Sequence, residues 1–165
     1  KPIRAAGPEP LASVGGAVQI RVVGDGWAMP DRSTVERVVR DAYAARVRGD
    51  LDGMMRCFVD APSFALGNAS GSPETGVPLA ASGAAAVREV RRRLTDGIEF
   101  LSAEITGMVV EGDRAAVHST LRVRAAGGTE IVQTGACDLY RFEGDRIASM
   151  QQFADTALAR RLLGQ

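Results

Sequence analysis

An aspartate in the middle of an apolar strand is the residue of this sequence that most clearly indicates chemistry. Asp138 stands in the stretch TGACDLYRF, among alanine, cysteine, leucine and tyrosine. Burying a bare carboxylate is costly, so Asp138 must be paired, protonated or in contact with a cavity. We weigh two roles for it. Asp138 is either the catalytic acid or base of a pocket for a carbonyl ligand, or a structural carboxylate satisfied by a neighbouring tyrosine or backbone amide.

His118 is the only histidine of the sequence and the second candidate for a general base. Alternation along its strand places it on the same side as Arg122 and Arg124, which favours the outer face of a sheet or a subunit contact. Asp60 and Asp155 are further acids, and their positions fit a turn and a helix cap. Asp138 is therefore the one residue that we predict to be catalytic.

The composition of the chain narrows the choice of partners. Its 165 residues include 20 basic and 20 acidic ones, so the net charge favours neither nucleic acid nor an anionic membrane surface. The two cysteines, Cys57 and Cys137, have the spacing of neither a zinc site nor a redox pair. The sequence shows no signal peptide, membrane span, metal-binding cluster or phosphate-binding loop. We predict a cytoplasmic protein without metal or cofactor, whose partners are a small hydrophobic molecule and a second copy of itself.

Two segments have the composition of irregular structure. Residues 1–30 are rich in glycine, proline and alanine around one β-type run, VQIRVV, and we assign them to an arm outside the main domain. The stretch GNASGSPETGVP at residues 67–78 is predicted to be a loop that rims a pocket. The main domain is predicted to span residues 31–165.

Three helices are predicted in the first half of this domain. Ser33 or Thr34 caps the first helix, whose apolar positions recur at three and four residues until Gly49 ends it. The stretch DLDGMMRCF forms a second helix, so that the pair makes a helical hairpin. The third helix contains SGAAAVREV. Its arginines are placed on the solvated side: Arg88, Arg91 and Arg92.

The second half of the domain reads as an antiparallel meander. A short strand at Ser63 to Leu66 precedes it, and the period of the pattern then changes to two. The turns EGDR, which occurs twice, and AAGGT separate the long strands. These strands are Ile98 to Val110, Arg114 to Arg124, Thr129 to Phe142 and Arg146 to Phe153. Helices against one face of a curved antiparallel sheet make an α+β fold, and its concave face leaves a pocket.

The two faces of these strands predict a pocket on one side and a subunit contact on the other. Alternation places Asp138 and Tyr140 on one face, whereas Cys137 and Leu139 lie on the opposite face, which is also apolar. An apolar outer face favours burial against a second subunit, so we predict a homodimer through the outer side of the sheet. The residues predicted to line the pocket are Tyr43, Phe58, Ser119, Leu121, Tyr140, Met150 and Gln152.

Four stretches of the sequence carry a resemblance to a known family: YAARVRGDLDGMMRCFVDAPSF, SGAAAVREV, VVEGDRAAVH and DLYRFEGDRIASMQQFADTALARRLLG. Over about residues 32–163 the chain resembles the nuclear transport factor 2-like superfamily, in particular its SnoaL-like and ketosteroid-isomerase-related branch. The resemblance implies a cone-shaped α+β fold with a curved sheet wrapped around helices. It leaves the reaction open, because this scaffold hosts isomerases, dehydratases, cyclases, epoxide hydrolases and non-catalytic binders.

The resemblance keeps one of three catalytic positions of the isomerase. Asp138 falls where the isomerase has its protonated oxyanion-hole aspartate. The general base would fall at Leu66, and the oxyanion-hole tyrosine at Ala42, one residue before Tyr43. Two functions follow. One is a cofactor-independent isomerase, lyase or hydrolase that uses Asp138 on a neutral hydrophobic substrate. The other is a ligand-binding or dimerisation domain that has lost the catalytic base.

Overall fold

The computed structural model describes residues 29–67 and 80–164. Nearly all of the predicted N-terminal arm, with its VQIRVV run, lies outside the described residues. The same holds for the predicted pocket-rimming loop from residue 68 onward. The described part holds an α+β domain, as the sequence predicts.

Four helices are present within the described residues. The first begins earlier than predicted, because Asp31 is its N-cap: the Asp31 side chain accepts a hydrogen bond from the backbone N–H of Thr34 at 2.8 Å. A carboxylate in this position satisfies an N–H group that the helix leaves without a partner. The prediction that Ser33 or Thr34 forms the cap was therefore wrong. The helices are α1 (Arg32–Val47), α2 (Leu51–Arg56), α3 (Ala84–Gly97) and α4 (Thr156–Leu162).

Six strands form one sheet in the described part of the chain, in the order β2-β1-β6-β5-β4-β3. The predicted meander is confirmed as β3 to β6, whose neighbours are antiparallel, whereas β1 runs parallel to β6. The strands are β1 (Phe58–Leu66), β2 (Ala80–Ser82), β3 (Ile98–Glu111), β4 (Arg114–Ala125), β5 (Val132–Glu143) and β6 (Arg146–Ala154).

Three strands differ from the sequence prediction, and β5 does so chiefly in its start, at Val132 rather than Thr129. β1 starts at Phe58 rather than Ser63, because the predicted turn at Asp60 to Pro62 is an irregularity inside the strand, where its register with β6 shifts. β2 was not predicted. Its three small residues, Ala80 to Ser82, show no periodic pattern and become a strand only by pairing with β1.

The core lies between the helices and the concave face of the sheet. Val35 and Val39 of α1, Val87 of α3 and Val117 of β4 have no exposed surface. Buried positions alternate with more exposed ones along β4 and β5, as expected for strands with one face against a core. The core is therefore the inside of a curved sheet filled by α1 and α3.

The outer face of the sheet carries a broad apolar groove. Val109 and Leu139 line it and are 68% and 40% exposed, and Phe153, 39% exposed, lies on the same face outside the groove. The groove has a volume of about 860 Å³ and runs across β1, β2 and the neighbouring parts of β4, β5 and β6. Among the described helices, none is long and apolar enough to cross a membrane.

Candidate functional site

Asp138 is fully buried in β5, and three side chains donate hydrogen bonds to it. The hydroxyl of Tyr43 lies 2.6 Å from Oδ2, and the hydroxyl of Tyr140 lies 3.3 Å from the same oxygen. The side-chain amide of Gln152 donates to Oδ1 at 2.9 Å. Both carboxylate oxygens are thus engaged, as buried polar groups require. Of the two roles weighed from the sequence, this geometry matches that of a satisfied carboxylate.

The fold brings these residues together from three elements. Asp138 stands directly opposite Gln152 in the antiparallel pairing of β5 with β6, so their side chains share the concave face. Tyr43 reaches them from the buried side of α1. Its hydroxyl oxygen also lies 3.2 Å from Oγ of Ser119, which has no exposed surface. The polar cluster is therefore sealed between α1 and the sheet.

Both phenols of the cluster stay protonated at neutral pH. Burial, reinforced by the charge of Asp138, raises the pKa of Tyr43 well above its ordinary value of 10.0. Burial and then Asp138 raise the pKa of Tyr140 in the same way. Loss of either proton would place a second negative charge beside the carboxylate in a low-dielectric site. The two hydroxyls therefore act as hydrogen-bond donors to Asp138.

Arg46 extends the cluster and was not predicted from the sequence. It is 9% exposed, and its guanidinium donates to the amide oxygen of Gln152 at 2.8 Å. The guanidinium also stacks over the ring of Phe100, 4.1 Å from its centroid. The signal was present in the sequence, because Arg46 lies four residues after Ala42 on the apolar stripe of α1. A relay runs from Asp138 through Gln152 to Arg46.

Arg91 is a second buried cation, and its predicted place on the solvated side of α3 was wrong. Its side chain is 3% exposed and lies over the ring of Phe64, 4.3 Å from the centroid. It contacts the sulfur of Met150, and its Nε has no hydrogen-bond partner among the described residues. Spacing explains the position: Arg91 lies four residues after Val87, on the buried stripe. Burial lowers the pKa of Arg91 to about 10, so it remains charged at neutral pH.

A small cavity lies beneath α4, at the end of the relay. It has a volume of about 50 Å³, and Arg46 and Gln152 line it. Asp138 is not among its lining residues. Most of the wall is apolar, with Phe100 and Leu121 on the side of the sheet and Leu158, Ala159 and Leu162 on α4. The site is an apolar chamber with few polar side chains, closed by the last helix.

Comparisons with known proteins identify the family. A model of the SnoaL-like domain matches residues 39–150. The chain belongs to the SnoaL-like domain family. A search of curated proteins gave no match. The match to the family model confirms the family resemblance predicted from the sequence. Solved structures with a similar fold confirm the predicted α+β fold.

Three solved structures illustrate the shared fold. An NTF2-like protein of unknown function from Burkholderia pseudomallei is 23% identical, with a TM-score of 0.68 over 80% of this chain and 98% of that one. An LEH-like epoxide hydrolase from M. tuberculosis is 18% identical, with a TM-score of 0.60 over 79% and 90%. A protein described as a putative SnoaL-like polyketide cyclase, from Jannaschia sp., is 14% identical, with a TM-score of 0.63 over 79% and 92%. At these identities the likeness shows the fold alone.

The residues that we predicted to line a pocket are distributed over several places in this SnoaL-like domain. Gln152 and Leu121 line the cavity beneath α4. Tyr140 and Met150 border the groove on the other side of the sheet, and Tyr43 borders a shallow pocket between α1 and β3. Phe58 and Ser119 are buried, with 2% and 0% exposed surface. Four of the seven, Tyr43, Ser119, Tyr140 and Gln152, belong to the polar cluster around Asp138, and no single cavity of the described residues contains all seven.

The remaining candidate residues do not belong to the polar cluster around Asp138, although Leu66 and Asp155 line the cavity beneath α4. His118 is exposed on the outer face, as the alternation predicts. Its Nδ1 lies 2.6 Å from Oγ1 of Thr106. Asp155 caps α4 by accepting from the backbone N–H of Leu158 at 2.9 Å, which confirms its predicted role. Leu66, at the position of the isomerase's base, is 8% exposed and belongs to the core.

Tyr43, and not its neighbour Ala42, supplies the hydroxyl beside Asp138. The resemblance places the isomerase's tyrosine at Ala42, yet it is Tyr43, one residue later, whose hydroxyl reaches Asp138. Ala42 is buried at 7% exposure and carries no polar group. A tyrosine and an aspartate therefore bond to each other at this place in the fold.

Proposed function

We propose that this SnoaL-like protein binds a small organic molecule in the cavity beneath α4, with Arg46 and Gln152 as its polar contacts. The observation that carries the proposal is the relay from Asp138, which ends at the wall of an otherwise apolar cavity. Mostly apolar pockets with a few fixed polar groups are the usual form of small-molecule sites. The predicted partner, a small hydrophobic molecule, fits such a wall.

Asp138 acts in this proposal by positioning the other polar groups. A carboxylate only accepts hydrogen bonds, so it holds the NH2 group of the Gln152 amide. The amide oxygen of Gln152 is then left to accept from Arg46, which fixes the guanidinium at the cavity wall. Asp138 thus sets the orientation of the binding groups without contact with the ligand.

Binding requires α4 to move. A cavity of about 50 Å³ holds little more than water. None of the residues of α4 is buried, and the helix rests on the mouth of the cavity through half-buried side chains such as Leu158 and Leu162. An element with so little buried surface opens at low free-energy cost. We therefore treat α4 as the cover of the binding site.

A variant that fills the cavity tests the proposal. Thr134 lines the cavity from β5, and Gln133 is the exposed residue beside it in the sequence. Thr134→Phe is expected to weaken binding of the fluorescent apolar probe N-phenylnaphthylamine by about tenfold or more, which corresponds to about 1.4 kcal/mol. Gln133→Phe adds the same bulk outside the cavity and serves as the control. Equal affinity in both variants would place the probe elsewhere and count against the proposal.

An acid/base enzyme is the second candidate function, and the short contact between Tyr43 and Asp138 is the observation that favours it. A proton shared over 2.6 Å could be passed to a substrate that reached this pair, as an isomerase, lyase or hydrolase acting on a neutral hydrophobic substrate would require. Asp138→Asn distinguishes the two. An enzyme loses turnover while it stays folded, whereas a positioning carboxylate costs stability when it is replaced.

We also propose that the protein forms a cytoplasmic homodimer through the outer face of the sheet. The exposed side chains of Val109, Leu139 and Phe153 support this, because contiguous apolar surface marks interaction sites. The two unpaired thiols, Cys57 and Cys137, suit a reducing compartment. Sedimentation analysis is expected to give a dimer, and Leu139→Asp to give a monomer. A monomeric wild type would contradict the assignment.

A further inference from the structure

The charges buried beside the proposed site do not balance. Among the described residues, the buried charged side chains are Arg46, Arg91 and Asp138. A guanidinium group carries a positive charge, so two arginines and even an ionised Asp138 leave one positive charge in excess. No carboxylate within the described residues forms an ion pair with Arg46 or Arg91. An unpaired buried charge is costly, and proteins usually keep one for a purpose.

Arg46 also has unused hydrogen-bonding capacity. A guanidinium has five N–H donors in a rigid fork. One described acceptor is bonded to it, the amide oxygen of Gln152. The face of the guanidinium is occupied by Phe100, which also lines the cavity. The edge of the fork is the group that remains to bind an acceptor, and a planar carboxylate matches its geometry with two parallel hydrogen bonds.

On the basis of the proposed binding function, we propose that the ligand is an anion: an apolar body with one acidic group, such as a carboxylate, bound by Arg46. This replaces the neutral ligand expected from the sequence. The anion supplies the negative charge that the interior lacks, and its body fills the apolar chamber under α4. Arg91 adds to the positive potential without lining the cavity.

Asp155 does not supply the missing charge. It is the carboxylate of the cavity lining, but its side chain is exposed and bonded to the backbone of α4. Water screens an exposed charge strongly, whereas the guanidinium of Arg46 is largely buried. The apolar wall also argues for a single acidic group on the ligand. A doubly charged group such as phosphate would lose more hydration than one cation and an amide can replace.

Two fluorescent probes of the same body test this inference. Anilinonaphthalene sulfonate carries an acidic group, and its parent N-phenylnaphthylamine does not. The wild type is expected to bind the sulfonate at least about tenfold more tightly than the parent, the size of one charge-assisted contact. Arg46→Gln, which keeps donors but loses the charge, is expected to bring the ratio of the two affinities close to one. Arg122→Gln on the exposed outer face is the control for binding at surface arginines and should keep the preference.

The outcomes separate this inference from the function on which it rests. If the wild type binds both probes equally, the anionic ligand is wrong and the binding function stands. If the preference persists in Arg46→Gln, the assignment of Arg46 is overturned. If neither probe binds, the binding function itself fails.

A second measurement avoids variants altogether, in case Arg46→Gln does not fold. Octanoate and octanamide have the same chain and differ in charge. Octanoate is expected to displace bound N-phenylnaphthylamine from the wild type at a concentration at least about tenfold lower than octanamide requires. Equal potency of the two would overturn the inference.

Discussion

Asp138 and Arg46 are joined through a single side chain, the amide of Gln152. The amide donates to Oδ1 of Asp138 at 2.9 Å and accepts from the guanidinium of Arg46 at 2.8 Å. A negative and a positive group at opposite ends polarise the amide in the same direction, and chains of this kind strengthen each bond. The buried acid of β5 therefore acts on the cavity through an intermediary.

Replacement of that intermediary should be costly. Gln152→Leu leaves one oxygen of Asp138 and one N–H of Arg46 without partners in a buried site, so we expect a loss of about 2–4 kcal/mol of unfolding free energy. Chemical denaturation measures it. Gln151→Leu, which removes a half-buried bond to the carbonyl oxygen of Gly67, is the matched control and should cost about 1 kcal/mol or less. Equal losses would show that the relay carries no special stability.

The two tyrosines should contribute unequally to stability. Tyr43 donates to Asp138 over 2.6 Å and Tyr140 over 3.3 Å, and the longer bond is the weaker one. Tyr43→Phe is expected to lower the unfolding free energy by about 1.5–3 kcal/mol, and Tyr140→Phe by about 1 kcal/mol or less. Thermal unfolding of both variants tests this. A larger loss for Tyr140→Phe would contradict the order of the two bonds.

Alkaline pH should destabilise the protein, because the pKa of Tyr43 and that of Tyr140 are raised above the ordinary value of 10.0. The stability from a raised pKa is complete below the unfolded pKa and is lost as the pH rises, since the unfolded chain releases protons that the folded chain keeps. Arg91, with its pKa lowered to about 10, acts in the opposite direction over the same range. The two tyrosines outweigh the one arginine, so the unfolding free energy should fall above about pH 10, by about 1.4 kcal/mol per pH unit.

Tyr43→Phe isolates this effect. The variant keeps one such tyrosine against Arg91, so its unfolding free energy should vary less with pH than that of the wild type. Denaturation curves between about pH 9 and pH 11 provide the comparison. Parallel pH profiles of the two proteins would show that the Tyr43 hydroxyl does not titrate as its burial implies.

The cap of α4 should control access to the cavity. Asp155→Ala removes the hydrogen bond to the backbone N–H of Leu158, which costs the helix about 1 kcal/mol and should speed probe binding in stopped-flow experiments. Asp155→Asn removes the same charge but keeps a good cap, so its binding rate should stay near that of the wild type. If both variants bind faster, the charge of Asp155 rather than the order of α4 limits entry.

Periodicity in the sequence was enough to predict the helices and the meander, because α1, α3, β4 and β5 each expose one face and bury the other. The prediction failed for Arg91 of α3, because the type of residue was given more weight than its position. Arg91 was placed in solvent as an arginine, although its spacing from Val87 and Leu94 puts it on the buried stripe. The same preference left Arg46 unnoticed on α1. Arginine is rarely buried, and a sequence does not show the aromatic rings that accommodate it.

The central polar residue was identified from the sequence, and its three hydrogen-bond donors, Tyr43, Tyr140 and Gln152, were among the residues predicted to line a pocket with it. Asp138 in an apolar strand required an explanation, and a neighbouring tyrosine was among the answers considered. Which tyrosine it is depends on the rotation of α1 against the sheet, a property of tertiary packing. The cover formed by α4 is equally non-local, because α4 shares the cavity with Arg46 of α1 and Phe100 of β3, which lie far from it in the sequence.

A crystal structure of the protein with bound anilinonaphthalene sulfonate would test the central claim most directly. We predict density for the probe in the cavity beneath a displaced α4, with the sulfonate at the guanidinium of Arg46 and the bonds between Gln152 and Asp138 unchanged. A probe bound in the outer groove, with α4 in place and the cavity closed, would contradict the account.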